Sequence, residues 1–301
     1  MGMLTGCIAL AHAANAACVV AMQETVPVDI VAGVPVVSVQ VNDVALPFVL
    51  DTGAQRSLVT DATVRRADLR LDEWASTTVK GVSGYERHRN ADPTSLRLGG
   101  ITLRRRTVAA DSTLTVGPLP ESALAGREVA GLLGADFLGS FDLDIDLPGR
   151  RVTLYRVAGC AGRFLPWQAG YDMIVAGQPF RDVLIMPVEL DGRTLRTEID
   201  SGSGITLLTA SGIDRMALTP GMLAADPAGA MHGVGRFTVG TRRHDFGTLR
   251  VGAERIDKPA IWAAPVHILP IVDMLLGADW LRQRRVWVSY ATLRIFVATA
   301  P

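Results

Sequence analysis

Phe48-Val49-Leu50-Asp51-Thr52-Gly53-Ala54, followed by Ser57-Leu58-Val59-Thr60, is a phrase that this chain contains twice. The second copy is Thr197-Glu198-Ile199-Asp200-Ser201-Gly202-Ser203, followed by Thr206-Leu207-Leu208-Thr209. The approach to each phrase is also the same. Val36 to Val41, a turn at Asn42-Asp43 and Leu46 to Leu50 precede the first; Ile185 to Leu190, Asp191-Gly192 and Leu195 to Ile199 precede the second. Asn-Asp and Asp-Gly between β-rich runs predict hairpins. Each aspartate is therefore expected just past the end of a hairpin's second strand.

Each phrase has a partner further along. Gly131-Leu132-Leu133-Gly134-Ala135-Asp136-Phe137-Leu138 follows the first, and Met274-Leu275-Leu276-Gly277-Ala278-Asp279-Trp280-Leu281 follows the second at nearly equal spacing. A predicted strand pair comes after each: Phe141 to Asp146 with Arg151 to Tyr155, and Val286 to Tyr290 with Leu293 to Val297. Repeated elements in the same order mark an internal duplication. One copy occupies residues 27–156 and the other 182–299, joined by a connection at 157–181 punctuated by Gly159, Gly162, Pro166, Gly170 and Gly177. Helical periodicity is confined to short segments such as Ser122 to Val129. The expected architecture is mainly β, two mostly antiparallel barrels with a cleft between them.

Asp-Thr-Gly and Asp-Ser-Gly carry a physical logic. Glycine allows the tight turn that exposes a carboxylate and lets main-chain amides approach it, while the hydroxyl residue can bond across the seam between the halves. A single Asp-Thr-Gly is a generic turn tripeptide. Two of them, each with its own Leu-Leu-Gly partner, resemble the retroviral-protease-like and pepsin-like aspartic peptidases, especially single-chain bacterial members, over nearly the whole chain.

That resemblance implies two tandem closed β-barrel lobes with the active site in the cleft between them. It implies Asp51 and Asp200 as the catalytic carboxylates, with Thr52, Gly53, Ser201, Gly202 and Ser203 supporting their turns. Leu132-Leu133-Gly134 and Leu275-Leu276-Gly277 resemble the strands that pass behind those turns. Two carboxyls about 3 Å apart do not both ionise cheaply, so the pair shares a proton, and neither metal nor cofactor is needed. Ser203 is expected to donate to the Asp200 carboxylate where Ala54 offers nothing to Asp51. Asp200 then reads as the ionised base and Asp51 as the proton-bearing partner.

Glycine-punctuated segments lie where hairpins covering a substrate are expected: Gly81-Val82-Ser83-Gly84-Tyr85 in the first copy and Gly233-Val234-Gly235 in the second. Ordinary exposed hairpins are the alternative. Asp136 and Asp279 occupy equivalent places and read as hydrogen-bonding or turn residues. The five tryptophans form no regular ladder and read as packing residues, and the histidines lack metal-ligand spacing.

The chain has 301 residues, with 49% apolar and 20% charged, the profile of a folded protein. Thirty basic residues balance thirty acidic ones, so no global field favours a nucleic acid. Basic groups such as Arg284 and Arg285 read as solvated faces. Residues 1–22 lack Lys, Arg, Asp and Glu and read as an export signal or, through Cys7, as a lipoprotein leader that anchors the protein at a membrane; a buried N-terminal element is the alternative. Removing the leader would leave Cys160 as an unpaired thiol and no disulfide framework. The expected protein is an exported, periplasmic or cell-envelope monomer acting on extended polypeptide, or a cytoplasmic one if the leader does not function. The rival reading is a peptide-binding or envelope scaffolding protein that keeps the fold without turnover.

Overall fold

Asn42 and Asp43 take positive φ values of 46° and 66°, and Asp191 and Gly192 take 47° and 76°. This gives both predicted hairpins a two-residue turn whose twist suits the flanking strands. The computed structural model describes residues 17–81, 84–103, 113–119, 124, 126–180, 183–233, 238–268 and 271–299. Among them, no helix is long and apolar enough to cross a membrane.

The first half forms β1 (Val19–Pro27), β2 (Asp29–Val31), β3 (Val34–Val41), β4 (Val44–Leu50), β5 (Leu58–Val59), α1 (Asp61–Arg66), β6 (Arg70–Gly81) and β7 (Gly84–Asp92). It continues with β8 (Leu96–Leu98), β9 (Ile101–Thr102), β10 (Leu114–Val116), β11 (Gly131–Leu133), α2 (Ala135–Leu138), β12 (Asp142–Asp146) and β13 (Arg151–Ala158). The second half contributes β14 (Tyr171–Val175), β15 (Gly177–Phe180), β16 (Val183–Leu190), β17 (Arg193–Ile199), β18 (Leu207–Leu208), α3 (Ala210–Met216), α4 (Pro220–Ala224) and β19 (Ala228–Met231). It ends with β20 (Val239–Asp245), β21 (Thr248–Val251), β22 (Glu254–Asp257), β23 (Ala260–Ala263), β24 (Met274–Leu276), α5 (Ala278–Leu281), β25 (Arg285–Ser289) and β26 (Arg294–Ala298).

One sheet runs β6-β7-β10-β5-β11-β4-β3-β8-β9 with β2 beside β3; another runs β19-β20-β23-β18-β24-β17-β16-β21-β22 with β15 beside β16. The two orders correspond strand for strand, so the duplication read in the sequence extends to the topology. A third sheet, β1-β13-β12-β25-β26-β14, takes three strands from each half. It joins them where β12 pairs antiparallel with β25, Leu143 opposite Val288.

The expected pair of closed β-barrels is not what forms. Each ten-stranded sheet is an open path whose end strands, β6 and β9 or β19 and β22, do not pair with each other. The strand pairs that follow α2 and α5 leave their own halves and meet in the third sheet, so they do not close either of the others. Apolar faces are covered by packing instead: one continuous core includes Phe48 and Leu133, Leu143 and Val288 of the shared sheet, and Leu195 and Leu276.

Polar ties reinforce the shared sheet. Arg285 Nε donates to Asp144 Oδ1 at 2.9 Å, Trp167 Nε1 to Asp144 Oδ2 at 3.0 Å, and Trp287 Nε1 to Asp142 Oδ2 at 3.0 Å. Arg284 Nε donates to Glu254 at 2.8 Å. Arg284 and Arg285 are thus ion-paired and not the solvated charges expected of them. Buried Asp144 needs such a partner.

Cys160 is not a lone thiol: it forms a disulfide with Cys18. The bond fastens the start of β1 beside the end of β13, where Val19 pairs with Ala158. Placing Cys18 within a leader hides this pairing in the sequence. Cys7 lies outside the described residues, as does part of the helix expected over Ser122 to Val129; Arg127 to Val129 carry no regular element.

Candidate active site

Asp51 and Asp200 follow β4 and β17 directly. Asp51 N donates to Leu133 O and Asp200 N to Leu276 O, both at 3.0 Å. β11 runs parallel to β4 with Leu132 opposite Val49, and β24 runs parallel to β17 with Leu275 opposite Glu198. Leu132, Leu133, Leu275 and Leu276 are buried and hold each turn from behind.

Gly134 and Gly277 then start α2 and α5, whose first amides close onto the turns: Ala135 N donates to Ala54 O at 2.8 Å and Ala278 N to Ser203 O at 2.7 Å. A Cβ on Gly134 would stand 2.7 Å from Ala54 O. No side chain fits there. The same helices carry Asp136 and Asp279. Asp136 accepts from Ser57 Oγ and Asp279 from Thr206 Oγ1, both at 2.7 Å. Both acids lock the chain after the turn and play the hydrogen-bonding role expected of them.

The two turns are laced to each other. Thr52 Oγ1 donates to Ile199 O at 2.7 Å and accepts from Ser201 N at 3.1 Å; Ser201 Oγ donates to Leu50 O at 2.6 Å and accepts from Thr52 N at 3.0 Å. Each glycine faces the opposite acid. A Cβ on Gly53 would fall 2.6 Å from Asp200 Cγ, and one on Gly202 would overlap the Asp51 carboxyl. Asp51 Oδ1 accepts from Gly53 N and Ala54 N at 3.0 and 2.9 Å; Asp200 Oδ1 accepts from Gly202 N and Ser203 N, both at 3.0 Å. The two carboxyl groups lie close enough for each to act directly on the ionisation of the other.

Comparison with known proteins supplies the family and the fold. An aspartyl protease family model matches residues 37–137 and 186–280, one segment in each repeat. The chain belongs to the aspartyl protease family. It is accordingly an aspartic-type hydrolase. A crystal structure of an aspartic proteinase from Irpex lacteus is similar over 94% of this chain and 98% of that one, with a TM-score of 0.51. At 10% sequence identity that likeness speaks for the fold alone. No match is found among curated proteins.

In this aspartyl protease both acids keep part of their surface open to solvent while lying deep among protein atoms. Burial raises the Asp51 carboxyl well above its ordinary value of 3.8, and the charge of Asp200 pushes the same way. Burial also raises Asp200, while the amides of Ser203 and Gly202 pull it down. One proton shared over the pair relieves the repulsion.

The role expected of the Ser203 hydroxyl is not fulfilled. It donates to Ile205 O at 2.7 Å, and only the Ser203 amide reaches Asp200. Two backbone amides serve each acid, so this residue does not choose which one carries the proton.

The β6–β7 hairpin pairs Gly81 with Gly84 and Lys80 with Tyr85. Val82 and Ser83 at its tip lie outside the described residues. Gly84 takes φ 117°, and Tyr85 is exposed with Lys80 Nζ 5.2 Å from its ring centroid. In the second half, β19 and β20 pair up to Met231 and Val239. Gly233 follows β19, while Val234 and Gly235 lie outside the described residues. His244 pairs with Asp226 at 2.7 Å and His88 with Glu86 at 3.4 Å. Among the described residues no three His, Cys, Asp or Glu side chains gather as a metal-holding group.

One residue of this neighbourhood escaped the sequence reading. Glu198, two positions before Asp200, is 1% exposed, and neither of its carboxyl oxygens has a hydrogen-bond partner. Burial lifts it well above its ordinary 4.5, and the charges of Asp200 and Asp51 add to the rise. The available signal was an acid standing where the first repeat has Val49.

Proposed function

We propose that the protein is an aspartic endopeptidase in which Asp51 and Asp200 activate a water molecule between them. The ionised member of the pair takes a proton from the water, and the oxygen attacks a peptide carbonyl. The protonated member donates to the carbonyl oxygen, giving a neutral gem-diol, and the proton then passes to the leaving amine. Thr52, Gly53, Ser201, Gly202 and Ser203 hold the turns, and the two Leu-Leu-Gly segments hold the turns' strands.

The observation that carries this reading is the contact between two carboxyls contributed by sequence-distant copies of one turn, each backed by two amides. The substrate we assign is an extended polypeptide, bound between halves spanning residues 27–156 and 182–299 with a connection at 157–181. The hairpins ending at Gly81–Tyr85 and near Gly233 are assigned to cover it. Because one chain supplies both acids, we assign a monomer.

We also assign the protein to an exported, periplasmic or envelope location. The Cys18–Cys160 disulfide supports an oxidising compartment. Since Cys18 is bonded and β1 begins at Val19, the leader we propose ends upstream of Cys18.

The test is cleavage of an unfolded polypeptide at mildly acidic pH, inhibition by a statine-type transition-state mimic, and assay of Asp51→Asn and Asp200→Asn. Each variant is expected to lose activity by at least about 10²- to 10⁴-fold. Cleavage that persists in both would assign the chemistry elsewhere.

A further inference from the structure

Glu198 stands in an apolar pocket built for a valine. In the first repeat Val49 lies between Val36 on β3 and Leu132 on β11; in the second, Glu198 lies between Ile185 on β16 and Leu275 on β24. Val49 packs with both its neighbours in one apolar cluster, and Ile185 and Leu275 belong to the corresponding cluster of the second half. The registers are equivalent, yet the residue is an acid.

With no partner for either oxygen, the neutral acid is far cheaper to bury than the carboxylate. The charged groups that act on it are Asp200 and Asp51, both of which oppose its ionisation. The strands on either side place apolar Ile185 and Leu275 opposite it. Arg196, two residues earlier, is engaged with Asp273 at 2.8 Å. Glu198 and Asp200 are two residues apart on one extended run, the spacing that sends side chains to the same face.

We propose that Glu198 is a positioning residue for the Asp51–Asp200 pair: while protonated it seats the strand that carries Asp200, and losing that proton sets the upper pH limit of activity. This rests on the protease reading above. The proton goes to solvent, leaving a buried negative charge beside the pair. Two acids that repel each other do not ionise independently. A carboxylate that cannot be solvated where it lies displaces β17, and Asp200 moves with it.

The test compares pH–rate profiles of the intact protein, Glu198→Gln and Glu198→Val, the last copying Val49 and carrying the comparison if the glutamine variant does not fold. Both substitutions are expected to move the upper limb to higher pH by about one unit or more, through kcat rather than KM. Glu189→Gln, an exposed acid on β16, is expected to cause no shift. A parent-minus-variant infrared difference titration, in which the proton shared by Asp51 and Asp200 cancels, should show a protonated-carboxyl band belonging to Glu198 that vanishes over the pH range of the upper limb.

Superimposable rate profiles, or a parent-minus-variant difference spectrum without a protonated-carboxyl band, would overturn the proposal. Absence of proteolysis from every form would overturn the protease reading, and the positioning role with it. The infrared comparison distinguishes that result from a Glu198 that is simply ionised.

Discussion

Thr52 and Ser201 each use one hydroxyl to satisfy two backbone groups of the opposite turn, and both are buried. Removing either hydroxyl strands a buried amide and a buried carbonyl at the seam. Thr52→Val and Ser201→Ala are each expected to cost about 2–4 kcal/mol, with each kcal/mol lowering Tm by roughly 2–4 °C in a protein of this size. The double variant should lose less than the sum, because each hydroxyl accepts from the other residue's amide. Thr52→Ser keeps the hydroxyl and should retain most of the stability. Additive losses in thermal melts would mean that the two halves of the seam act independently.

Stability should fall as pH rises from the mildly acidic range. Asp51, Asp200 and Glu198 all have folded-state pKa values raised above 3.8 or 4.5. Above those ordinary values the folded protein holds more protons than the unfolded chain, so each pH step toward the folded values favours unfolding. Asp273 works in the opposite sense: burial pushes it up, but Arg196 and Arg215 overcome this and lower it. Its contribution is lost only as pH falls below 3.8. Asp51→Asn removes one raised group while keeping an oxygen for the Gly53 and Ala54 amides. Its Tm should therefore exceed the parent's at neutral pH and vary less steeply with pH in circular-dichroism melts. A steeper slope in the variant would reverse the assignment.

The glycines of the two turns are expected to be intolerant of any side chain. Gly53→Ala places a methyl group against the Asp200 carboxyl, and Gly202→Ala places one against Asp51. Parting the acids by about 1 Å is enough to cost roughly 10²-fold in rate. Peptide cleavage should drop at least that far in either variant. Gly134→Ala, which meets backbone at Ala54 O, should instead appear as a stability loss of about 1–3 kcal/mol.

What the sequence discloses here is what the duplication writes twice. Both hairpins, both acid-bearing turns and both Leu-Leu-Gly strands are local patterns, and a second copy turns a generic tripeptide into a site. The shared sheet is different in kind. Nothing in Phe141 to Asp146 or Val286 to Tyr290 says that Leu143 will pair with Val288 and not with a strand of its own half. The expectation of closed barrels rests on β-rich sequence and on the resemblance, and neither carries that pairing. Ser203 shows a similar limit: residue identity names a hydroxyl donor, but its acceptor, Ile205 O and not Asp200, is set by turn geometry that residue identity does not specify.

Reducing the disulfide should loosen an edge without touching the acids. Cys18 and Cys160 are 142 residues apart, so the bond restrains a long loop in the unfolded chain, and its loss is expected to cost about 2–4 kcal/mol. In the folded state it fastens only the start of β1, the edge strand of the six-stranded sheet, to the end of β13. The Thr52–Ser201 seam lies on the other two sheets. Cys160→Ser should therefore lower Tm and expose the chain near Val19 to limited proteolysis, while peptide cleavage assayed well below Tm stays at the parent level. Activity that declines in step with reduction at low temperature would show that β1 is coupled to the Asp51–Asp200 pair through the shared sheet.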